Sequence, residues 1–221
     1  MLVSTVIFAL LTAVPAVQDP QVNPICEANA SLCRVVPPFN IRAGGTSYPI
    51  TPSGLRPWVE EDRLTIFPGE SVVLVVAANG SLEVESVARA EGILKDEVIT
   101  RLTAVFAPGG PGENATESDV IPGKEAVDIV AVPANRLRVT FRQEAEGEEM
   151  LLVIQNGFDD PVLYNAGMLV PDQGQTWTAT SVCTIVEKRM AFEHWPHPIL
   201  ALSLGDFHIE KTPTPDSYRC A

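Results

Sequence analysis

Basic side chains are scarce in this sequence: 15 Lys and Arg stand against 28 Asp and Glu, a formal net charge of -13. A surface of that sign repels phosphate backbones and anionic headgroups, so nucleic acid is not an expected partner. Histidine is scarcer still. All three, His194, His197 and His208, fall in one stretch near the C-terminus, leaving the rest of the chain without a side chain that titrates near neutral pH in the ordinary way. The patterns Gly-x-Ser-x-Gly, Gly-x-x-x-x-Gly-Lys and Gly-x-Gly-x-x-Gly are missing, which removes the commonest serine-hydrolase, phosphate-loop and dinucleotide signatures. These absences point to a binding or structural protein rather than an enzyme.

Long apolar runs are also lacking. The stretch that includes Leu2, Val3, Val6, Ile7, Phe8, Ala9, Leu10 and Leu11 has no charged side chain before Asp19. It is shorter than the roughly 20 residues a membrane-spanning helix needs. It has the form of a secretory signal, followed by Val14-Pro15-Ala16 where a signal peptidase reads small residues. A cleavable signal peptide over residues 1–16 is therefore expected, although its first residues carry no Lys or Arg. Removal would leave about 205 residues, secreted or periplasmic, with no membrane insertion. Asn23-Pro24-Ile25 ahead of Cys26 lacks the small residues of a lipoprotein cleavage site.

Four cysteines are present, Cys26, Cys33, Cys183 and Cys220. In an oxidising compartment an even number reads as two disulfides, for which three connectivities are open. The favoured one joins Cys26 to Cys33 across a short N-terminal loop. It also joins Cys183 to Cys220, tying down the tail that contains Thr212-Pro213-Thr214-Pro215-Asp216. Zinc is the competing use of four cysteines, but no Cys-x-x-Cys pair occurs.

What is abundant is punctuation. Residues 17–57 are rich in Pro, Asn, Gly and Ser and read as an extended N-terminal arm. Residues 58–221 then read as one sandwich domain of short strands. Leu64–Phe67, Val72–Ala78, Leu82–Val87, Ala126–Val132, Leu137–Phe141, Met150–Ile154 and Val162–Val170 are apolar or alternating runs bounded by turn residues such as Asn79-Gly80 and Asn156-Gly157. The expected fold is all-β, an antiparallel β-sandwich with at most one or two short helices. Val72–Val76 and Met150–Ile154 are apolar throughout, as strands covered on both faces are. Leu137, Val139 and Phe141 alternate with Arg136, Arg138, Thr140 and Arg142, predicting one apolar face and one face of guanidinium groups. Those arginines either pair with Glu83 and Glu85 of another strand or stay solvated. Residues 93–106 fit a strand pair or a short helix equally, and residues 108–114 read as a loop.

The turn Pro68-Gly69-Glu70-Ser71 leading into Val72–Val76, and Asn156-Gly157-Phe158-Asp159-Asp160-Pro161 between two strands, resemble those of immunoglobulin-like exported domains. That resemblance covers two turns with their flanking strands and implies a fold class without any functional residue.

Candidate chemistry concentrates in Glu193-His194-Trp195-Pro196-His197, with His208 farther on. Imidazoles that converged could bind copper or zinc, but Pro196 and Pro198 forbid a helix that would align them. The first reading is Trp195 packed at a proline-rich corner; a metal site of His194, His197 and His208 is the alternative. Cys183, Met190 and His194 have the wrong order and spacing for a blue-copper loop. Glu144, Glu146, Glu148 and Glu149 around Gly147 read as a solvated hairpin tip rather than a calcium site. Asn29-Ala30-Ser31, Asn79-Gly80-Ser81 and Asn114-Ala115-Thr116 match the glycosylation acceptor pattern. The functional expectation is an exported, disulfide-stabilised module that binds a protein or glycan partner through loops or a strand edge.

Overall fold

The alternating run from Leu137 and the apolar run from Met150 pair as an antiparallel hairpin, and the rest of the fold assembles from such pairs. The structure is a computed structural model that describes residues 23–92, 131–144, 147–171, 176–218 and 220. Within these residues the strands are β1 (Cys33–Val35), β2 (Phe39–Ala43), β3 (Thr46–Ile50), β4 (Leu55–Pro57), β5 (Val59–Glu60), β6 (Arg63–Ile66) and β7 (Glu70–Val76). They continue as β8 (Leu82–Arg89), β9 (Leu137–Gln143), β10 (Met150–Asn156), β11 (Val162–Leu169), β12 (Trp177–Thr180), β13 (Met190–Trp195) and β14 (Ala201–Ile209). A single α-helix is described, α1 (Pro24–Ala28). Its start is set by Pro24 in the first turn and by the Asn23 side chain, which accepts from the Ile25 N–H at 2.9 Å.

Two five-stranded antiparallel sheets form the body. The first has the order β13-β10-β9-β7-β8 and the second β12-β11-β14-β6-β5. Alternate residues of each strand face the space between them, as the two-residue period of a strand requires. The first sheet contributes Val72, Leu74, Val139, Phe141, Leu152 and Ile154 to a shared core; the second contributes Leu64, Ile66, Val162, Tyr164, Leu202 and Leu204. Each large apolar side chain so buried contributes about 1.5–3 kcal/mol before chain entropy is counted. The protein is therefore an all-β antiparallel sandwich.

Strands β7 and β10 are buried on both faces, as their unbroken apolar runs predict. The polar face of β9 departs from expectation, because Arg138, Thr140 and Arg142 are buried rather than solvated. Arg136, just before β9, makes the expected pair. Its guanidinium donates to both carboxylate oxygens of Glu85 at 2.9 and 3.2 Å, reaching past β7, which lies between β8 and β9. The β7–β8 hairpin forms at Asn79-Gly80, but it closes at Ala77 and Ser81, whose N–H···O bond is 2.9 Å, around a three-residue loop. Gly80 supplies the positive φ of 86° that such a loop needs.

Strand β14 carries a bulge that sets the outer surface. Leu163 of β11 pairs with His208 while Asn165 pairs with Gly205, so β14 has one extra residue over this span. Asp206 takes a φ of 54° there. Leu202 and Leu204 point inward before the bulge and Phe207 after it, leaving Asp206 outward.

The segment read as an extended arm contains the two-stranded ladder β1-β4 and the hairpin β2-β3. Gln143 holds the hairpin: its side-chain oxygen accepts from the Arg42 N–H at 2.8 Å and its amide donates to the Arg42 carbonyl at 3.0 Å. Glu148, at the tip of the β9–β10 hairpin, also accepts from the Gly45 N–H at 2.8 Å. A buried ion pair pins the arm more firmly. Arg34 donates through Nε and Nη2 to the two oxygens of Glu70 at 2.7 and 2.8 Å, and to the carbonyls of Pro57 and Thr65 at 3.0 and 2.9 Å. Its guanidinium lies 3.6 Å from the centre of the Trp58 ring.

Two disulfides join Cys26 to Cys33 and Cys183 to Cys220. Chain-entropy arguments give roughly 2.5 kcal/mol for the first loop and roughly 4 kcal/mol for the second. The expected signal segment 1–16, the ambiguous segment 93–106, the loop 108–114, the acceptor pattern at Asn114, Glu146 and most of the run Ala126–Val132 lie outside the described residues.

Candidate functional site

The histidine cluster is dispersed by the strands that carry it. His194 is the penultimate residue of β13 in the first sheet, His197 lies in the connection after it, and His208 projects from β14 in the second sheet. Among the described residues no three His, Cys, Asp or Glu side chains are grouped to hold a metal ion. His197 has its Nδ1 3.3 Å from the Pro198 carbonyl, and His208 has its Nε2 3.8 Å from Glu210. Burial pushes the His194 imidazole below its usual pKa, partly offset by the charge of Glu149. Trp195 ends β13 directly before the Pro196-His197-Pro198 bend. It is buried, with Nε1 donating to the Thr180 hydroxyl at 2.9 Å.

Glu193, beside these residues, faces inward. Its carboxylate accepts from the Cys183 N–H at 2.7 Å and meets the Tyr164 hydroxyl at 3.5 Å. Burial raises its pKa, and the hydrogen bonds from Cys183 and Tyr164 oppose that rise. Tyr164 is itself shifted well upward by burial and then by the Glu193 charge. This group secures the peptide next to the Cys183–Cys220 bridge.

A broad concavity lies elsewhere, across the outer face of the second sheet. It encloses about 1250 Å³. Its floor follows from strand parity: Thr65 of β6, Ser203 of β14, Asn165 and Gly167 of β11, and Ala179 of β12 all point away from the core. Small side chains at these positions make the face hollow. The arm contributes Ile50, Pro52 and Arg56, β5 contributes Glu60 and the turn after it Glu61. No histidine lines it among the described residues.

Two features give this groove chemistry. The indole of Trp177, 46% exposed, stands on the outer face opposite Leu169. Gly167 makes room beside it; a Cβ there would sit 3.9 Å from the ring. On the other side, Arg63 lies across Gly205, where a Cβ would meet its side chain at 2.7 Å. Arg63 Nε donates to the Ser203 hydroxyl at 2.9 Å, Nη2 to the Ser203 carbonyl at 3.2 Å and Nη1 to Asp206 at 3.2 Å. The Asn165 amide donates to the same Asp206 oxygen at 3.2 Å. Four polar side chains are thus tied together by hydrogen bonds before any ligand arrives.

The residues that give the groove its chemistry, Arg63, Asn165, Gly167, Trp177, Ser203 and Asp206, were not singled out by sequence. Gly167 and Trp177 lie well before Ser203 and Asp206 along the chain, and the four carry no motif. No protein-family model, curated protein or solved structure matches the chain, so the residues themselves carry the functional reading.

Proposed function

We propose that this chain is an exported binding module whose ligand lies in the groove on the outer face of the second sheet. A disulfide-stabilised, β-rich module is the framework. Two disulfides suit an oxidising compartment, extracellular or periplasmic, and no described helix is long and apolar enough to cross a membrane. The observation that carries the reading is the groove, whose volume exceeds the roughly 300–1,000 Å³ of sites for single small molecules. It combines an exposed aromatic ring with a prearranged polar cluster, the two kinds of group that recognition sites use.

Filling the floor tests this. Gly167→Leu places its Cβ no closer than 3.7 Å to any neighbour, the Thr178 carbonyl being nearest. The fold is expected to persist while the side chain occupies the hollow. Oligosaccharides, peptides and polyanions are presented to both proteins, and binding present in the parent but lost in Gly167→Leu supports the proposal. Equal binding by both, or none by either, rejects it. Export is checked by mass spectrometry of material from a secreting host, where a chain beginning at Val17 with no free thiol is expected. An intact Met1 and four free thiols would contradict it.

A further inference from the structure

The chemistry lining the groove narrows its ligand, on the premise that the groove is the binding site. A long anionic ligand is disfavoured by charge, since Arg56 and Arg63 are outnumbered by Glu60, Glu61 and Asp206, and the single negative charge left over gives a long cationic one little to hold. An extended peptide is disfavoured by the backbone. The floor strands β11, β14 and β6 are interior to their sheet, each paired on both sides, and only β12, which carries Trp177, and β5 at the margins of the groove are edge strands. A peptide gains its affinity by main-chain pairing at a sheet edge, and a sheet face offers none.

What the face does offer is an aromatic plane and side-chain hydrogen-bonding groups within one hollow. A sugar ring has an apolar face of C–H groups and a perimeter of hydroxyls that both donate and accept. Trp177 supplies the plane for the former, its indole body apolar and half exposed. Arg63, Asp206, Asn165 and Ser203 supply donors and acceptors for the latter. Asp206 is aimed outward by the β14 bulge, a local irregularity that strands use to redirect a side chain at a site. The hollow is also larger than one small ligand needs.

We infer that the groove binds a neutral oligosaccharide, one sugar stacking on Trp177 while neighbouring hydroxyls bond to the Arg63–Asp206–Asn165 cluster.

Titration calorimetry with linear hexasaccharides of glucose, mannose, xylose and N-acetylglucosamine tests the inference, with dextran sulfate and a Ser/Thr-rich peptide as counter-probes. At least one hexasaccharide binds with a Kd of about a millimolar or tighter. Trp177→Ala and Asp206→Ala each weaken that binding about tenfold, whereas Trp177→Phe retains most of it. Raising salt from roughly 0.05 to 0.5 M changes the Kd less than about twofold, because no net charge is neutralised. Circular dichroism and the unfolding midpoint of each variant separate lost binding from lost fold. Sugar binding that survives Trp177→Ala overturns the inference. Binding only of the peptide or polyanion, blocked by Gly167→Leu, overturns it while leaving the groove as the binding site. No Gly167→Leu-sensitive binding of any probe overturns both readings.

Discussion

Removing Arg34 should be among the most damaging single changes outside the apolar core. Arg34 and Glu70 are 8% and 9% exposed, so neither charge is screened effectively by water. In Arg34→Met the carboxylate keeps the Phe67 N–H donor at 2.8 Å but loses both guanidinium bonds. The carbonyls of Pro57 and Thr65 lose a donor as well, and Trp58 loses its cation. Breaking a buried pair by deleting one partner costs about 3–5 kcal/mol, mostly from the charge left behind. For a chain of this size that is a fall in Tm of roughly 6–20 °C. Adding Glu70→Gln to Arg34→Met removes the stranded charge while the amide oxygen still accepts from Phe67. The double variant should therefore be more stable than Arg34→Met alone by at least about 1 kcal/mol. Urea unfolding of the parent, both single variants and the double variant closes the cycle. A loss below about 1 kcal/mol for Arg34→Met, the size typical of exposed pairs, refutes the reasoning. So does a coupling below about 0.5 kcal/mol.

Glu193 gives a pH-dependent prediction of definite sign. Its folded pKa is raised above the ordinary carboxylate value, chiefly by burial, so the protonated form is favoured in the folded state. Its contribution is fully present below the unfolded pKa and is lost as pH rises through the folded one. Glu193→Gln should therefore be more stable than the parent at pH 7 and equal to it near pH 4, as read by thermal melts across that range. A parent that gains relative stability toward pH 7 contradicts the assignment. Gly157→Ala should destabilise by about 1–3 kcal/mol, because its Cβ would fall 2.2 Å from the Pro133 carbonyl oxygen and 2.8 Å from that of Arg136, where only backbone can move. A urea midpoint unchanged from the parent would show that the loop yields.

Much of the sandwich was legible along the chain. Val72–Val76 and Met150–Ile154 announce doubly covered strands because an all-apolar run has no face to give to water. Strand β14 was not legible. Leu202 and Leu204 begin one alternation and Phe207 begins the opposite one, and the extra residue at Gly205-Asp206 erases the period. Strand β13 was hidden differently: its histidine and acidic residues drew attention to metal chemistry and away from the alternation of Ala191, Glu193 and Trp195. At Arg34 the local texture misleads. The flanking Leu32 and Val35 are exposed while the charged residue between them is buried, an inversion that makes sense only once Glu70 is known to face it.

By itself the sequence determined the class of fold and the preferred cysteine pairing, since both rest on short-range facts: period, turn chemistry and loop length. It also carried the expectation of export, through the composition of its first residues. Only the tertiary structure decided where a ligand could lie. The groove exists because Gly167, Ala179, Ser203 and Thr65, small for no local reason, become neighbours across four strands. A residue's side of its own strand is written in its neighbours along the chain. Which strands lie beside it, and hence whether small side chains add up to a hollow beside Trp177 and Arg63, is settled only when the sheets pack.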